Sequence, residues 1–316
     1  MNNKHNHELV VDENFDGKRI DYFLKKNFSS LSYPLICKII RKGLVKVNNK
    51  RIKNTYILKT KNIIKLFINI NDKPKQSFNI DSELSKKVKS WVIFKDENFI
   101  AINKPSGIAV QGGTKVKVSL DNLLEALKFR YSTKPKLVHR IDKKTSGVIL
   151  VARNIQYAQY FTSLFKDRLI EKKYLLLVNG NPEVRKGFID KPILTTEKEL
   201  ESKTYFSVLK TYKNQSLILA FPITGRKHQI RKHFSIIGNS IVGDDKFKNK
   251  LDKVGVNSNF YLHSMSINFF NKNKKIKITA PLPAYFENKL ENMNYPINRL
   301  QSNNDFNNLE DFQRSF

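Results

Sequence analysis

The sequence predicts an α+β protein with two domains, a small module of two helices and several strands followed by a larger mixed α/β domain. The chain has 316 residues, which is more than one typical domain. Near the start, apolar residues recur with helical spacing and then alternate, as in a helix pair followed by strands. The stretch from Asp72 to Ser90 loses this periodicity and contains Pro74, which is typical of a linker.

The small module is predicted over residues 15–72, after a polar stretch at 1–14 that we expect to be flexible. Its first helix places apolar residues on one face between positions 20 and 28. A second helix begins at Ser32 and ends at Gly43, because serine is a favoured N-cap and glycine a favoured helix stop. The strand candidates of this module are 45–47 and 64–70.

The larger domain is predicted over residues 91–290, after a linker at 73–90 and before an Asn-rich tail at 291–316 that we expect to be flexible. Short apolar runs between turn residues indicate its strands, and apolar residues with helical spacing indicate its helices. The strand candidates are 91–94, 100–103, 147–152, 173–178, 217–221 and 275–279. The helix candidates are 120–130, 155–166 and 229–237.

The positive charge of the chain is concentrated in the small module. The formal net charge is +30, and residues 16–75 hold 16 Lys or Arg but 3 Asp or Glu, which is +13 in about a fifth of the chain. Such a local excess is typical of a nucleic-acid partner, although it is also compatible with a solvated face of a structural domain. A basic helix and hairpin suit A-form RNA, which proteins recognise by shape and phosphate. The RNA contacts predicted for this module are Lys38, Arg41, Lys42, Lys46, Lys50, Arg51 and Lys53.

Simple patterns argue against several classes of protein. No run of 18 apolar residues occurs, so we expect no membrane-spanning helix, and the first 14 residues lack the apolar core of a secretory signal. Cys37 is the single cysteine, which fits a reducing compartment, and we expect a cytoplasmic location. Neither a phosphate-binding GxxxxGK[ST] loop nor a dinucleotide-binding GxGxxG loop is present.

One segment combines a charged turn with an apolar strand. It reads VHRIDKKTSGVILVA and places Asp142 among His139, Arg140, Lys143 and Lys144. Four potential cations would favour the ionised carboxylate, which is the state that a nucleophile needs. The alternative is an ordinary aspartate in a charged turn.

A second segment, FPITGRKHQIRKHF, forms a turn followed by a helix. Arg231 on this helix could present its planar guanidinium to a carboxylate or a phosphate. His228 and His233 are five residues apart and therefore do not share a helical face, so they are poor metal ligands and we expect no metal site.

Six segments of the chain resemble, in the same order, those of RNA pseudouridine synthases of the RluA type. The resemblance covers residues 16–288, because the segment ICKIIRKGLVKVNNKRIK of the first module also resembles the S4-type RNA-binding domain. It implies that the larger domain is built around a central, mostly antiparallel sheet. The six segments are NKPSGIAVQGG, HRIDKKTSGVILVA, EKKYLLLVNG, PITGRKHQIRKH, IVGDDKF and LHSMSINF.

The resemblance also assigns roles to single residues. Asp142 corresponds to the catalytic nucleophile, and Arg231 to the arginine that pairs with its carboxylate. Tyr174 corresponds to a tyrosine thought to stack on the flipped base and to assist proton removal from carbon 5. Gln111 departs from the histidine that is usual in the family. The RNA-binding residues implied in this domain are Arg140, which would enter the RNA helix, His139 and Arg226.

The implied activity is the isomerisation of specific uridines to pseudouridine in large-subunit (23S-type) ribosomal RNA or its assembly precursors, by a monomer with no obligate protein partner. The uridine must leave the helix before its glycosidic bond can be reached. An isomerisation requires no metal, redox or nucleotide cofactor. Attack of the aspartate on carbon 6 and removal of a ribose proton to give a glycal both stay open. The alternative functions are a transfer-RNA synthase, a non-catalytic ribosome-assembly protein and, with less support, an RNA methyltransferase.

Overall fold

The structure is a computed structural model, and it divides the chain into two compact units, residues 1–79 and 80–316. Each unit is described by itself. The residues that the structure describes are 7–28, 31–68, 80–112, 116, 118–195, 198–249 and 259–302.

The first unit packs two helices against a four-stranded antiparallel sheet. The strands lie in the order β1-β4-β2-β3. The elements in chain order are β1 (His7–Val10), a 3₁₀ helix (Glu13–Phe15), α1 (Ile20–Asn27), α2 (Tyr33–Arg41), β2 (Val45–Val47), β3 (Lys50–Arg51) and β4 (Ile63–Leu66).

Apolar faces of the two helices and of the sheet form the core of this unit. Ile20 and Leu24 of α1, Ile36 of α2 and Ile64 of β4 are completely buried. Gly43 ends the second helix with a φ of +72°, a left-handed conformation that glycine adopts without strain. The two helices and the following strands therefore match the pattern in the sequence, while the S4-type assignment stays a prediction.

The N-terminal stretch differs from the expectation. We predicted that residues 1–14 are flexible, but His7–Val10 form a strand that pairs with β4 in register His7 to Leu66. Half-buried and exposed residues alternate along this strand. A polar composition is therefore compatible with an edge strand. Residues 1–6 of that prediction lie outside the described residues.

The second unit is built around one large sheet. Its helices are α3 (Ser82–Ser90), α4 (Leu120–Leu123), a 3₁₀ helix (Leu124–Leu127), α5 (Ile155–Lys166), α6 (Gln229–Ile236), α7 (Ala284–Asn292) and α8 (Asn298–Ser302). Its strands are β5 (Val92–Lys95), β6 (Phe99–Lys104), β7 (Lys136–Leu137), β8 (Ser146–Ala152), β9 (Glu171–Asn179), β10 (Lys186–Asp190), β11 (Ile193–Leu194), β12 (Glu199–Leu200), β13 (Lys203–Tyr212), β14 (Gln215–Pro222), β15 (Leu262–Asn271) and β16 (Lys274–Thr279). None of the helices in the described parts of the chain is long and apolar enough to cross a bilayer.

The strand order of this sheet is β10-β13-β14-β9-β15-β8-β6-β5, with β16 beside β15 and β7 beside β8. Every neighbouring pair is antiparallel except β15 and β8, which run parallel. The predicted α+β class with a central, mostly antiparallel sheet is confirmed. One hydrophobic cluster packs α5 on the sheet through edge-to-face contacts of Phe161 with Phe99 and Phe269. A second cluster packs α6 on β13 through Phe234 and Phe206.

Both ends of the second unit extend beyond the predicted boundaries. The predicted linker at 73–90 contains α3, whose N-cap Asp81 accepts a hydrogen bond of 2.7 Å from the Leu84 amide, so the second unit begins near Ile80. The predicted flexible tail at 291–316 includes the end of α7 and α8, and buries Met293, Tyr295 and Leu300 in the core. The first difference arises because a capped amphipathic helix lies in the predicted linker. The second arises because isolated apolar residues anchor the predicted tail in the core. Residues 73–79 and 303–316 lie outside the described parts of the chain.

Candidate active site

The pairing of four strands brings the predicted site residues to one level of the sheet. Lys104 at the end of β6 lies opposite Gly147 at the start of β8, and Ser264 of β15 pairs with Gly147 on one side and Tyr174 of β9 on the other. Gly147 has a φ of +107°, and a Cβ atom at this position would lie 2.2 Å from the Ser264 carbonyl oxygen. Only glycine therefore allows the loop that carries Asp142 to approach β15 so closely.

Asp142 lies in the loop before β8, and its carboxylate is contacted on one oxygen. The His228 Nδ1 atom lies 2.8 Å and the Arg231 Nη1 atom 3.4 Å from Oδ2. Burial alone would raise the pKa of this carboxyl, but the hydrogen bond from His228 and the positive charge of Arg231 hold the pKa below its ordinary value. Among the described residues no hydrogen-bond donor reaches Oδ1, so an ionised carboxylate presents one free oxygen.

The N-terminus of α6 is fixed by a hydrogen-bond network around Gln229. Its side-chain oxygen accepts from the Thr224 hydroxyl at 2.6 Å and from the Arg226 amide at 3.0 Å. Its side-chain nitrogen donates to the Lys203 carbonyl and the Thr204 hydroxyl, both at 2.9 Å. These four bonds tie the turn, the helix and β13 together. His228 precedes the helix in a left-handed conformation with a φ of +58°, which directs the chain into the helix.

Arg231 is anchored from behind by a second carboxylate. Asp244 is completely buried, and its two oxygens accept hydrogen bonds of 2.7 Å from Nε and Nη2 of Arg231. The guanidinium carbon also lies 4.9 Å from the Phe247 ring and 5.2 Å from the Phe260 ring. The bidentate pair with Asp244 is therefore the main partner of Arg231, and Asp142 receives only the remaining Nη1 atom.

A buried lysine supports the loop of Asp142 from the other side. The Lys104 side chain is completely buried, and its ammonium donates to the carbonyl oxygens of Pro105, Ile108 and Lys143 at 2.9, 2.9 and 3.2 Å. Burial lowers the pKa of Lys104 to about 7, while the negative charge of Asp142 acts in the opposite direction. Lys104 thus links the segment after β6 to the residue that follows Asp142.

Asp142 opens into a cavity of about 580 Å³, a volume in the range of small-molecule and cofactor sites. Tyr174, Arg140, Arg226 and His139 also line this cavity. Together with Asp142 and Arg231, they are the six site residues predicted for the larger domain, and the structure brings all six together. Burial raises the pKa of the Tyr174 phenol to about 12, although a hydrogen bond with Ser264 opposes the shift. Tyr174 is therefore a neutral phenol at physiological pH.

The predicted RNA contacts of this domain occupy different positions around the cavity. Arg140 is exposed, and its Nη1 atom lies 3.5 Å from the Gln111 side-chain oxygen. Arg226 donates from Nε to the Glu201 carbonyl at 2.9 Å. His139 is committed to the fold, because its Nε2 atom accepts the Leu150 amide at 2.7 Å. Burial lowers the pKa of His139 to about 3, so the imidazole is neutral.

The prediction that neighbouring cations of the sequence surround Asp142 is wrong. Lys144 pairs with Asp245 at 2.9 Å, Arg140 points to Gln111, and His139 is neutral. Lys144, Arg140 and His139 each have a partner other than Asp142, so these sequence neighbours do not surround its carboxylate. The groups that contact or influence the carboxylate come from distant segments, and they are His228, Arg231 and Lys104. Of these, only Arg231 was predicted, from its motif and from the resemblance of the chain to the family.

The predicted RNA contacts of the first unit lie at the surface. Six of the seven are exposed, and Lys46 is half-buried with its ammonium 5.2 Å from the Phe67 ring centroid. Lys38 and Arg41 of α2 line a cavity of about 630 Å³ that shares Ile52 and Lys53 with a second cavity of about 510 Å³. Lys50 and Arg51 line the second cavity. The helix and the hairpin therefore present one continuous basic surface, here called the basic face, formed by Lys38, Arg41, Lys42, Lys50, Arg51 and Lys53.

The site agrees with what comparisons with known proteins find. Residues 98–236, which include Asp142, Tyr174 and Arg231, match the RNA pseudouridylate synthase family. The ribosomal large subunit pseudouridine synthase C of Buchnera aphidicola (subsp. Baizongia pistaciae, strain Bp) is 36% identical over 91% of this chain and 97% of its own length. This chain belongs to the RNA pseudouridylate synthase family. The predicted family and enzyme class are thereby confirmed.

Further relatives of this RNA pseudouridylate synthase carry the same description. The ribosomal large subunit pseudouridine synthase C of Rickettsia conorii is 35% identical over 89% of this chain and its full length, and that of Vibrio cholerae is 30% identical over 90% of this chain and 96% of its length. The solved structure of human RNA pseudouridylate synthase domain containing 4 matches 67% of this chain and 96% of its own with a TM-score of 0.59 at 24% identity. At that identity the structural match supports the fold of the synthase.

Proposed function

We propose that this synthase isomerises specific uridines in large-subunit ribosomal RNA to pseudouridine, with Asp142 as the catalytic residue. The observation that carries the proposal is the Asp142 carboxylate, which His228 and Arg231 contact on one oxygen and whose other oxygen is free inside a cavity of about 580 Å³. The substrate class is supported by relatives that match over 97% or more of their length and are named for the ribosomal large subunit.

The reaction begins with a uridine that leaves the RNA helix and enters the cavity, since its glycosidic bond is not accessible in a stacked base. Arg140 is exposed beside the cavity and is suited to occupy the space that the base leaves. His139 presents its ring, stacked on Phe165 at 4.4 Å, and Arg226 presents the rest of its guanidinium toward the RNA. Tyr174 stacks on the uracil.

Oδ1 of Asp142 then acts on the nucleotide, while His228 and Arg231 stabilise the charge on Oδ2. Addition to carbon 6 and proton removal from the ribose are both compatible with one free carboxylate oxygen. In either route the bond from N1 to the ribose breaks and a bond from C5 to the ribose forms. The C5 proton is lost and N1 gains a proton, so the reaction is balanced without an oxidant or reductant. A neutral Tyr174 stacks or donates a hydrogen bond, and is not the base that removes the C5 proton.

The basic face of the first unit binds the RNA backbone in this proposal, as an S4-type domain would. Six exposed cations on one helix and one hairpin fit a row of phosphates better than they fit base edges. We also propose a cytoplasmic monomer that acts on the ribosomal RNA or its assembly precursors without an obligate protein partner.

The proposal is tested by a map of pseudouridines in cells with and without the gene. Carbodiimide-dependent stops of reverse transcription mark each pseudouridine at nucleotide resolution. We expect discrete stops in the large-subunit ribosomal RNA to disappear in the deletion strain and to return with the wild-type gene. An unchanged ribosomal map with lost stops in transfer RNA would move the substrate to transfer RNA. Unchanged maps of both RNAs would favour the non-catalytic alternative.

A further inference from the structure

The cavity contains a second positive site whose cations do not contact Asp142. Lys172 lies two residues before Tyr174 on β9, so both side chains project from the same face of the strand and both line the cavity. The described contact of the Lys172 ammonium is the Thr224 carbonyl oxygen at 3.5 Å, which leaves room for further acceptors. Arg168, in the turn between α5 and β9, lines the cavity beside it.

Among the described residues, no carboxylate lies within ion-pair distance of Lys172. Other lysines of this unit have such partners, for example Lys144 with Asp245 and Lys203 with Asp190. None of the ion pairs among the described residues involves Lys172 or Arg168. Burial lowers the pKa of Lys172 to about 8, and the positive charge of Arg168 lowers it further. Two adjacent cations in a cavity wall therefore repel each other in the free protein.

Arg168 lies in the turn after α5, where its φ is +59°. Lys61, Lys213 and Lys272 adopt the same left-handed conformation in other turns, so a ligand is indicated by the position of Lys172 and Arg168 in the cavity wall. Two cations with no carboxylate partner among the described residues indicate a site that is completed by an anion.

We propose that Lys172 and Arg168 bind a backbone phosphate adjacent to the flipped uridine, an inference that rests on the proposed function. Uracil is neutral, so uncharged donors satisfy its carbonyl groups and the base does not require two positive charges beside it. RNA supplies a phosphate on each side of every nucleoside. Charge-assisted hydrogen bonds from a lysine and an arginine suit such a phosphate. Lys172 would then hold the sugar–phosphate of the target nucleotide while Asp142 acts on its glycosidic bond.

The test compares Lys172→Gln with Lys274→Gln, which removes the same charge from an exposed position on β16 outside the cavity. Both proteins are assayed by tritium release from a large-subunit ribosomal RNA transcript labelled at carbon 5 of uridine. We expect Lys172→Gln to raise KM roughly tenfold or more, because it removes a charge-assisted contact with the substrate. Lys274→Gln should stay within about twofold. Thermal unfolding of both variants controls for folding.

A second arm identifies the ligand. A short RNA with a neutral methylphosphonate in place of one phosphate next to the mapped uridine is given to the wild-type protein and to Lys172→Gln. If Lys172 binds that phosphate, the methylphosphonate raises the KM of the wild-type protein roughly tenfold. It raises the already higher KM of Lys172→Gln little further. Additive losses at both flanking positions, or a variant with wild-type KM, would overturn the proposal. A wild-type protein that releases no tritium would instead refute the proposed function.

Discussion

The guanidinium of Arg231 is bound to Asp244 by two hydrogen bonds of 2.7 Å, and it reaches the Asp142 carboxylate with a single nitrogen at 3.4 Å. The geometry divides the work between two carboxylates. Asp244 is completely buried and fixes the arginine, so that Asp142 receives a positive charge without a tight pair. A bidentate pair would occupy both oxygens of the Asp142 carboxylate, whereas a single long contact to Oδ2 favours the ionised form and leaves Oδ1 free.

Asp244 should therefore be a positioning residue for Arg231. We predict that Asp244→Asn lowers the free energy of unfolding by about 3 kcal/mol, because it breaks a buried ion pair. We also predict at least a tenfold fall in kcat, measured well below the melting temperature of the variant, because Arg231 loses its fixed orientation. Asp245→Asn is the matched control, since Asp245 is exposed and its ion pair among the described residues is with Lys144. Its stability should change by less than about 1 kcal/mol. A folded Asp244→Asn protein with wild-type kcat would disprove the positioning role.

His228 should set the lower pH limit of activity. Its hydrogen bond to Asp142 helps to hold the pKa of that carboxyl below the ordinary value, so the active ionised form is lost only as the pH falls through a depressed pKa. Removal of the bond in His228→Ala raises this pKa, and the acid limb of kcat/KM should move to higher pH. His228→Asn keeps a donor and tolerates the left-handed backbone, so its acid limb should shift less. Superimposable pH profiles of all three proteins would contradict the role of His228.

Tyr174 should act through its ring and not as a base. Because burial raises the pKa of its phenol to about 12, the phenolate is scarce below pH 10. We predict that Tyr174→Phe keeps kcat within about tenfold and leaves the pH profile between 8 and 10 unchanged. Tyr174→Leu should lower kcat much further, because base stacking on an aromatic side chain contributes about 1–3 kcal/mol. Rates from single-turnover assays decide the matter. Complete loss of turnover in Tyr174→Phe would assign an essential role to the hydroxyl.

The basic face should bind RNA through phosphates, which makes the affinity dependent on salt. We predict that the combined change of Arg41, Lys42 and Lys50 to Gln weakens RNA binding and reduces the slope of log Kd against log salt by about 2–3, or roughly 0.7–0.9 per lost phosphate contact. The control is the combined change of Lys186, Lys274 and Lys277, which are exposed on the second unit. Equal slopes for both triple variants in filter-binding titrations would show that the net charge acts without a defined surface.

Much of the fold could be predicted from the sequence where local patterns dominate. α5 and α6 begin at the predicted residues because their apolar spacing agrees with their packing. β13 has charged and polar residues between its apolar ones over Lys203–Tyr212, and a local reading does not separate it from a loop. The end of the predicted helix at 120–130 becomes a 3₁₀ turn, and Phe129 adopts a left-handed conformation. Tertiary contacts, which a local pattern does not contain, decide such cases.

The sequence predicted the reacting residues of the site. It did not predict the residues that contact and position them. Asp142, Tyr174 and Arg231 follow from motifs that resemble a family. His228 lies three residues before Arg231 in the same motif, but it precedes α6 in a left-handed conformation, so helical spacing does not predict its contact with Asp142. Asp244 and Lys104 lie in segments that resemble the family, but their contacts do not follow from the sequence, because the fold brings them to Arg231 and to the Asp142 loop from 13 and 39 residues away. Long-range register is what converts separate motifs into one cavity.

The most direct test of the central claim is Asp142→Asn, which removes the charge and keeps the shape of the side chain. The purified variant is assayed for tritium release from uridine labelled at carbon 5 in large-subunit ribosomal RNA, alongside a binding titration with the same RNA. We predict no release above background and a Kd within a few-fold of the wild-type value, because the basic face is intact. Turnover by the variant at a rate near that of the wild-type protein would contradict the assignment of Asp142 and, with it, the account of the site.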